Sequence, residues 1–232
     1  MEIRGFFRVA LAPAVAAAII AGVASSSANA AVYIVEVWTG APDGVHSSTI
    51  ADALDIPSGS PSAEFQYNGA INWVNNQPQN HDTSGNLAKD FLNIAAITNF
   101  SSPSGAYADA TAFGNSSLSI AGDAYASFFE IFGFNATPTA ATIMHDDGAS
   151  VYVGLGLPVY SSPTETSVIT GNFVLPAGLF AITYVEGNGA PSDLIFTTTG
   201  VPELSTWAMM IIGFGGVAVQ MRRRERAIGA SA

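Results

Sequence analysis

Residues 142–153, TIMHDDGASVYV, place two acidic residues and a glycine between two short apolar runs. The flanking runs, 141–144 and 151–155, are rich in β-branched and other apolar residues, a composition typical of strands. Asp-Gly is also the strongest short hairpin signal, so a plain hairpin turn at Asp146, Asp147 and Gly148 explains the stretch by backbone preference alone. The stretch therefore predicts strand, turn and strand.

The same pattern continues on both sides, as short β-branched or aromatic runs separated by Gly, Pro, Asn and Ser. Helical periodicity is scarce and predicts one short amphipathic helix, at 87–96. Many short strands in one domain indicate an all-β fold, an antiparallel β-sandwich or jelly roll. The nine predicted strands are 32–37, 71–74, 117–120, 125–132, 141–144, 151–155, 167–174, 180–185 and 193–198.

The two ends of the chain differ from this body. Arg4 and Arg8 precede an apolar run and the small-x-small motif Ala28-Asn29-Ala30, which predicts a signal peptide at 1–30 with a signal helix. From 202 onward an apolar stretch, thirteen residues long between 207 and 219, precedes an arginine cluster. It predicts a marginal transmembrane helix whose arginines stay cytoplasmic, so the body, 31–201, faces outward.

Acidic and basic residues are also distributed unevenly between the body and the two ends of the chain. Residues 31–201 contain one basic residue, Lys89, and fifteen acidic residues, which gives a net charge of −14. Such a body does not bind phosphate backbones, so nucleic acid is excluded as a partner. Surplus carboxylates instead suit hard cations such as calcium. The absence of cysteine excludes disulfides, thiolate zinc sites and cysteine nucleophiles.

The tail resembles the PEP-CTERM sorting signal of Gram-negative bacteria. The resemblance rests on Pro202-Glu203, on Trp207 and the apolar, glycine-containing stretch after it, and on Arg222-Arg223-Arg224. Leu204 departs from the pattern, because the family usually repeats proline there. The resemblance implies export through the general secretory route, transient anchoring in the inner membrane and cleavage by an exosortase-type protease. It also implies residence at the outer cell surface or in the extracellular or biofilm matrix.

The body resembles the protective-antigen-type β-sandwich family, known from bacterial toxins, glycosidases and yeast flocculins. Besides 142–153, the resemblance rests on 173–178 and on the Tyr-x-Glu pattern of 182–189. In sugar-binding members, paired aspartates joined by a cis peptide hold a calcium ion that ligates sugar hydroxyls. By position this implies that Asp146 and Asp147 bind calcium and sugar. The family often has a further aspartate soon afterwards, where this chain reads Gly154-Leu155-Gly156.

A second candidate loop is Glu186-Gly187-Asn188-Gly189. The side-chain carbonyl of Asn188 is a ligand for a cation or sugar, and the glycines let backbone carbonyls approach a cation. The alternative is a plain glycine-rich turn with Glu186 on the surface.

No catalytic residues are predicted. Only three histidines could act as imidazole bases, and no serine lies in a Gly-x-Ser-x-Gly motif. The sequence thus indicates a non-enzymatic, exported surface protein, interpreted as a calcium-assisted carbohydrate-binding module. Two alternatives stay open. One is a structural protein of the biofilm or exopolysaccharide matrix, without a ligand site; the other is a glycosidase built on a spatial pair of carboxylates.

Overall fold

A computed structural model describes residues 31–42, 57, 59–76, 86–120, 125–154, 156–163, 167–187 and 189–199. The predicted signal peptide, the sorting tail with its Pro202, Glu203, Trp207 and arginines, and Asn188 lie outside these residues. The strands are β1 (Val32–Pro42), β2 (Ala63–Asn68), β3 (Asn72–Asn75), β4 (Ile97–Ser101), β5 (Tyr125–Asn135), β6 (Thr139–His145), β7 (Ala149–Val153), β8 (Tyr160–Ser162), β9 (Ile169–Leu175), β10 (Gly178–Glu186) and β11 (Ser192–Thr199). The helices are α1 (Ala88–Phe91), α2 (Ala110–Gly114) and a 3₁₀ turn (Ile94–Ala96).

The strands form two sheets. One has seven strands in the order β4-β2-β1-β5-β10-β7-β8, and the other has four in the order β3-β11-β6-β9. Neighbouring strands are antiparallel, and the longest unbroken register joins β10 to β5, from Gly178 opposite Asn135 to Glu186 opposite Ser127. The predicted all-β, antiparallel class is confirmed. Within the described part of the chain, no helix is long and apolar enough to cross a bilayer.

The core lies between the sheets, because each strand turns alternate residues inward. Trp73 of β3 is fully buried, and its ring meets Tyr67 of β2 at 5.2 Å and Phe129 of β5 at 5.9 Å between centroids. Helix α1 adds Phe91, which packs on Trp73 at 5.8 Å and stacks on Tyr184 of β10 at 5.8 Å. These aromatic contacts tie both sheets and α1 into one core.

Several local predictions need correction. The helix predicted at 87–96 is a four-residue α1 followed by the 3₁₀ turn, and α2 was not predicted although Asp109 caps it by accepting from Ala112 N at 2.8 Å. The strand predicted at 117–120 is only a bridge between Leu87 and Ser117, since Leu118 N donates to Asn86 O in a loop. Strands β2, β4 and β8 were not among the nine predicted.

The strands predicted on both sides of 146–148 are present, but the alternative reading of this stretch as a plain Asp-Asp-Gly hairpin turn is wrong. Strand β6 pairs with β9 in the four-stranded sheet, whereas β7 pairs with β10 and β8 in the other sheet. Gly148 also lacks the positive φ that a tight hairpin turn requires. The turn at 146–148 therefore carries the chain from one sheet to the other, at one end of the sandwich.

Candidate cation site

Two sheet-to-sheet crossings lie side by side at this end: the turn at 146–148 and the segment 187–191, which joins β10 to β11. Asp146 N donates to Asp193 O at 3.3 Å, at the start of β11, and Val185 N donates to Gly148 O at 3.0 Å, near the end of β10. The side chain of Asp147 joins the crossings directly, because its Oδ2 accepts from Gly187 N at 2.8 Å. The two aspartates therefore lie between the layers.

A third acidic side chain completes the group, which we call the carboxylate cluster: Asp146, Asp147 and Glu186. One oxygen from each residue lies within 4.8 Å of the others. The side chains are 8%, 5% and 0% exposed, respectively. Glu186 points inward because it continues the buried alternation of Ile182 and Tyr184 along β10. The alternative that placed Glu186 on the surface is therefore wrong.

Asp146 is held by three hydrogen-bond donors. Its Oδ1 accepts from the backbone N–H groups of Asp147 at 2.9 Å and Asp193 at 3.0 Å, and from the hydroxyl of Tyr184 at 3.0 Å. Burial raises the pKa of Asp146 above its usual value, and these donors work against that rise. The side chain fixes the backbone of both crossings as well as contributing charge.

Glu186 lies in a polar network that we define as Asn86, Ser119 and Ser192 around its Oε1. The three side chains donate to Oε1 at 2.9, 3.1 and 2.8 Å, respectively. Ser119 Oγ in turn accepts from Gly189 N at 2.9 Å. Burial, followed by the nearby charges of Asp147 and Asp146, raises the pKa of Glu186 well above its usual range.

The hydroxyl of Tyr184 links Glu186 to Asp146. It lies 2.7 Å from Glu186 Oε2 and 3.0 Å from Asp146 Oδ1, although it carries a single proton. Burial raises the pKa of Tyr184 well above its usual value, so this proton stays in place. The hydroxyl therefore donates to one of these two carboxylate oxygens at a time.

His145 lies next to the group, in a buried position. Its Nδ1 donates to the carbonyl of Asp147, and in the neutral ring Nε2 accepts from the hydroxyl of Tyr160 at 2.7 Å. Burial also lowers the pKa of His145, which favours this neutral form. Lys89, the single lysine of the body, donates to Asn115 at an exposed position. The charge of the three acidic groups is therefore concentrated in a buried site.

The donor set fits a hard cation. It offers oxygen ligands with a surplus of negative charge, which is what calcium takes, at about 2.3–2.6 Å per ligand. Oxygens on opposite sides of one such ion lie about 5 Å apart, and the cluster spans no more than 4.8 Å. The peptide between Asp146 and Asp147 is trans; the cis bond of the described chain joins Ala190 to Pro191.

Sequence reasoning singled out the two aspartates and the loop that begins at Glu186, but it did not identify the side chains around them. Asn86, Ser119, Ser192 and Tyr184 carry no local motif and come together only in the folded chain. One signal was available: Ile182 and Tyr184 share one face of the strand predicted at 180–185, and Glu186 continues their spacing. A glutamate in register with buried residues is unusual. Asn188 is not among the described residues, so its predicted role stays a prediction.

Comparison with solved structures identifies the fold. A PA14 sugar-binding domain from an RTX adhesin matches with a TM-score of 0.50 and 16% identity, over 73% of this chain and 90% of that domain. The PA14 domain of the antifreeze protein MpAFP matches with a TM-score of 0.43 and 19% identity, over 76% and 84% of the two chains. No family model and no curated protein matches the sequence. At 16% identity, the first of these matches shows a likeness of fold alone, that of a PA14-like β-sandwich.

Proposed function

We propose that this chain is an exported cell-surface or matrix protein whose β-sandwich binds carbohydrate with the help of calcium. The observation that carries the proposal is the carboxylate cluster, in which three nearly or fully buried acidic side chains converge at one end of the sandwich. The fold likeness to a sugar-binding domain of an adhesin supports the choice of carbohydrate as the ligand class.

In this proposal Asp146 and Asp147 hold the ion, and Asn188 adds a side-chain carbonyl from the second crossing. Bound calcium neutralises the cluster and offers coordination positions to sugar hydroxyls. The protein's own part is to fix the ligands, since Gly187 N orients Asp147 and the N–H of Asp193 orients Asp146. Preorganisation of this kind lowers the cost of binding.

The test is retention of the purified full-length chain on immobilised polysaccharides, in calcium and in chelator. We expect binding in calcium, loss in chelator, and loss in Asp146→Asn and Asp147→Asn. Glu130→Gln is the matched control, because Glu130 is a partly buried acidic residue outside the cluster. Retention that is unchanged in chelator and in both aspartate variants would exclude calcium assistance.

A structural matrix protein is the second candidate. It is favoured by the dense internal bonding of the cluster, where Asp146 Oδ1 accepts from three donors that all belong to the chain. This candidate predicts no retention on any polysaccharide, together with a melting temperature that calcium does not change. Release of reducing sugar from a retained glycan would instead support a glycosidase, the third reading.

The proposal includes sorting by the tail. Residues 1–30 are removed on export, and the segment from 202 anchors the protein until an exosortase-type protease cleaves it. N-terminal sequencing of surface material should give a mature chain without residues 1–30. Deletion of 202–232 should release folded protein into the medium; an unfolded truncation product would mean that the tail belongs to the fold.

A further inference from the structure

We infer that β9 is the edge through which two copies of this chain form a symmetric dimer. In this dimer the two β9 strands pair antiparallel, so that the four-stranded sheets of the two copies become one continuous sheet. The inference goes beyond the proposed function and does not depend on calcium or carbohydrate binding. It rests on the open edge of β9, on the absence of charge along it and on its fit to a copy of itself.

Strand β9 ends the four-stranded sheet, and among the described residues no strand pairs with its outer edge. Its seven residues pair with β6 without a break, from Thr139 to His145. The strand contains no proline and no charged residue, which are two common means of protecting an edge. Its backbone N–H and C=O groups along the outer edge are therefore placed to pair with another strand.

The other three sheet edges are built differently. Strand β3 has four residues and β8 has three, which leaves little backbone for a partner. Strand β4 pairs with β2 through an irregular register, and Asn99 in its middle has a positive φ of 51°. Short or irregular edge strands of this kind resist pairing with another chain. Among the described strands, β9 is thus the edge best suited to add a partner strand.

The side chains of β9 favour pairing as well. Val174 is 64% exposed, and Val168, just before the strand, is 48% exposed. Thr170 and Asn172 are exposed on the same face of the sheet as Val174. Valine and threonine are β-branched and pack well against residues across a strand pair. A strand added at this edge would therefore cover apolar surface that the single copy leaves in water.

Charge indicates which partner fits the edge. The body, 31–201, has a net charge of −14, so two copies repel each other unless they meet where acidic groups are absent. Strands β6 and β9 contain no acidic residue, and between 148 and 185 the sequence has one, Glu165. A neutral edge does not attract a basic partner, but it allows a second acidic copy to approach. The occupant that this edge favours is therefore a second copy of the chain.

The sequence of β9 also fits its own copy. An antiparallel pair that overlaps all seven residues is centred on Asn172, because Ile169 then lies opposite the second copy's Leu175. On the exposed face, Thr170 lies opposite Val174, and Asn172 lies opposite itself. Side chains opposite each other in an antiparallel pair share one face, so exposed residues meet exposed residues. Such a contact is isologous and closes at two copies.

The experiment compares the purified full-length wild type with Asn172→Asp and Asn172→Lys, by sedimentation equilibrium over a range of concentrations. The wild type should form dimers. Each variant places two like charges directly opposite each other at the centre of the contact, so the dissociation constant of the dimer should rise by about tenfold or more in both. An equimolar mixture of the two variants should restore the dimer, because opposite charges then meet.

Thr197→Asp and Thr197→Lys are the matched controls. Thr197 is an exposed residue of β11, which lies inside the same sheet and not at its edge. These variants change the net charge by the same amount and should dimerise like the wild type. The mixture also tests folding, since only folded Asn172 variants can recover the dimer.

A wild type that stays monomeric at every concentration would overturn the inference. Dimers that neither Asn172 variant weakens would also overturn it, because the contact would then lie elsewhere, for example at the apolar ends of the chain. Weakening by Asn172→Asp together with strengthening by Asn172→Lys would show that β9 meets an acidic surface and not its own copy. Each of these results leaves the proposed calcium and carbohydrate binding untouched, so the two proposals can fail separately.

Discussion

The carboxylate cluster can be compared with a second group of acidic side chains, which lies on the seven-stranded sheet. In the second group, which we call the glutamate row, Glu36 of β1 lies directly opposite Glu64 of β2 and Glu130 of β5. The row alternates with the buried residues Val35 and Val37, so it occupies the face away from the core. Both groups bring three acidic side chains together, but they differ in what surrounds them.

In the row, acidic groups lie directly opposite other acidic groups. Like charges in this position destabilise a strand pair, and burial together with Glu36 raises the pKa of Glu130 to about 7. In the cluster, backbone N–H groups and side-chain donors point at the carboxylates. The difference indicates that the cluster is organised around its charge, whereas the row carries its charge at a cost.

The largest effect should come from Asp146→Ala. The change removes the acceptor of two buried backbone N–H groups and of the Tyr184 hydroxyl, and each unsatisfied buried donor costs about 1–3 kcal/mol. We expect the free energy of unfolding in chelator to fall by about 3–5 kcal/mol, measured by urea denaturation. Glu64→Ala in the row is the control and should cost far less; similar losses would erase the contrast between the two groups.

The second-largest effect should come from calcium, which should stabilise the protein through the carboxylate cluster and not through the glutamate row. If the ion binds only the folded protein, stability rises by about 2.7 kcal/mol at a hundredfold excess over Kd. The melting temperature should therefore climb with calcium in the wild type and in Glu130→Gln, and stay flat in Asp146→Asn and Asp147→Asn. An equal climb in all four proteins would place the ion elsewhere on the acidic surface.

The glutamate row should make the stability of the protein depend on pH. The pKa of Glu130 is about 7 in the folded protein against 4.5 ordinarily, so the folded state keeps a proton that the unfolded state loses. The stability from this group is complete below pH 4.5 and is lost as pH rises to about 7. After allowance for solvent screening, Glu130→Gln should recover about 1–2 kcal/mol at pH 8. Urea denaturation across this range checks it; parallel profiles for variant and wild type would contradict it.

The smallest effect should come from Tyr184→Phe. The ring keeps its packing on Phe91 and Phe129, and only the hydroxyl between Glu186 and Asp146 is lost. One net hydrogen bond corresponds to about 1 kcal/mol of unfolding free energy. Tyr107→Phe, which loses a hydroxyl contact to Thr39 in a partly buried position, provides the comparison and should cost less. A larger loss in Tyr107→Phe would show that the cluster gains nothing from this hydroxyl.

Features of this fold that depend on neighbouring residues could be predicted from the sequence, and features that depend on distant contacts could not. Period-two alternation is local, so the strands around 125–132 and 180–185 were predicted close to β5 and β10. Short β8 and the capped α2 were missed because three to five residues hold too little pattern. The local Asp-Gly preference suggested a hairpin at 146–148 as one alternative, whereas the sheet that each flanking strand joins depends on β9 and β10. Asn86, Ser119 and Ser192 could not be placed at all without the fold.

The long sequence separations within the polar network bear on the time course of folding. Asn86 bonds Glu186 and Ser192, which lie 100 and 106 residues further along the chain. Contacts this distant must overcome a large loop-closure entropy before they stabilise anything, and folds dominated by them are slow to form. A chain still being made cannot close this end until β11 has emerged. The end that holds the cluster should therefore be among the last parts of the sandwich to form, after the strands joined by shorter connections have paired.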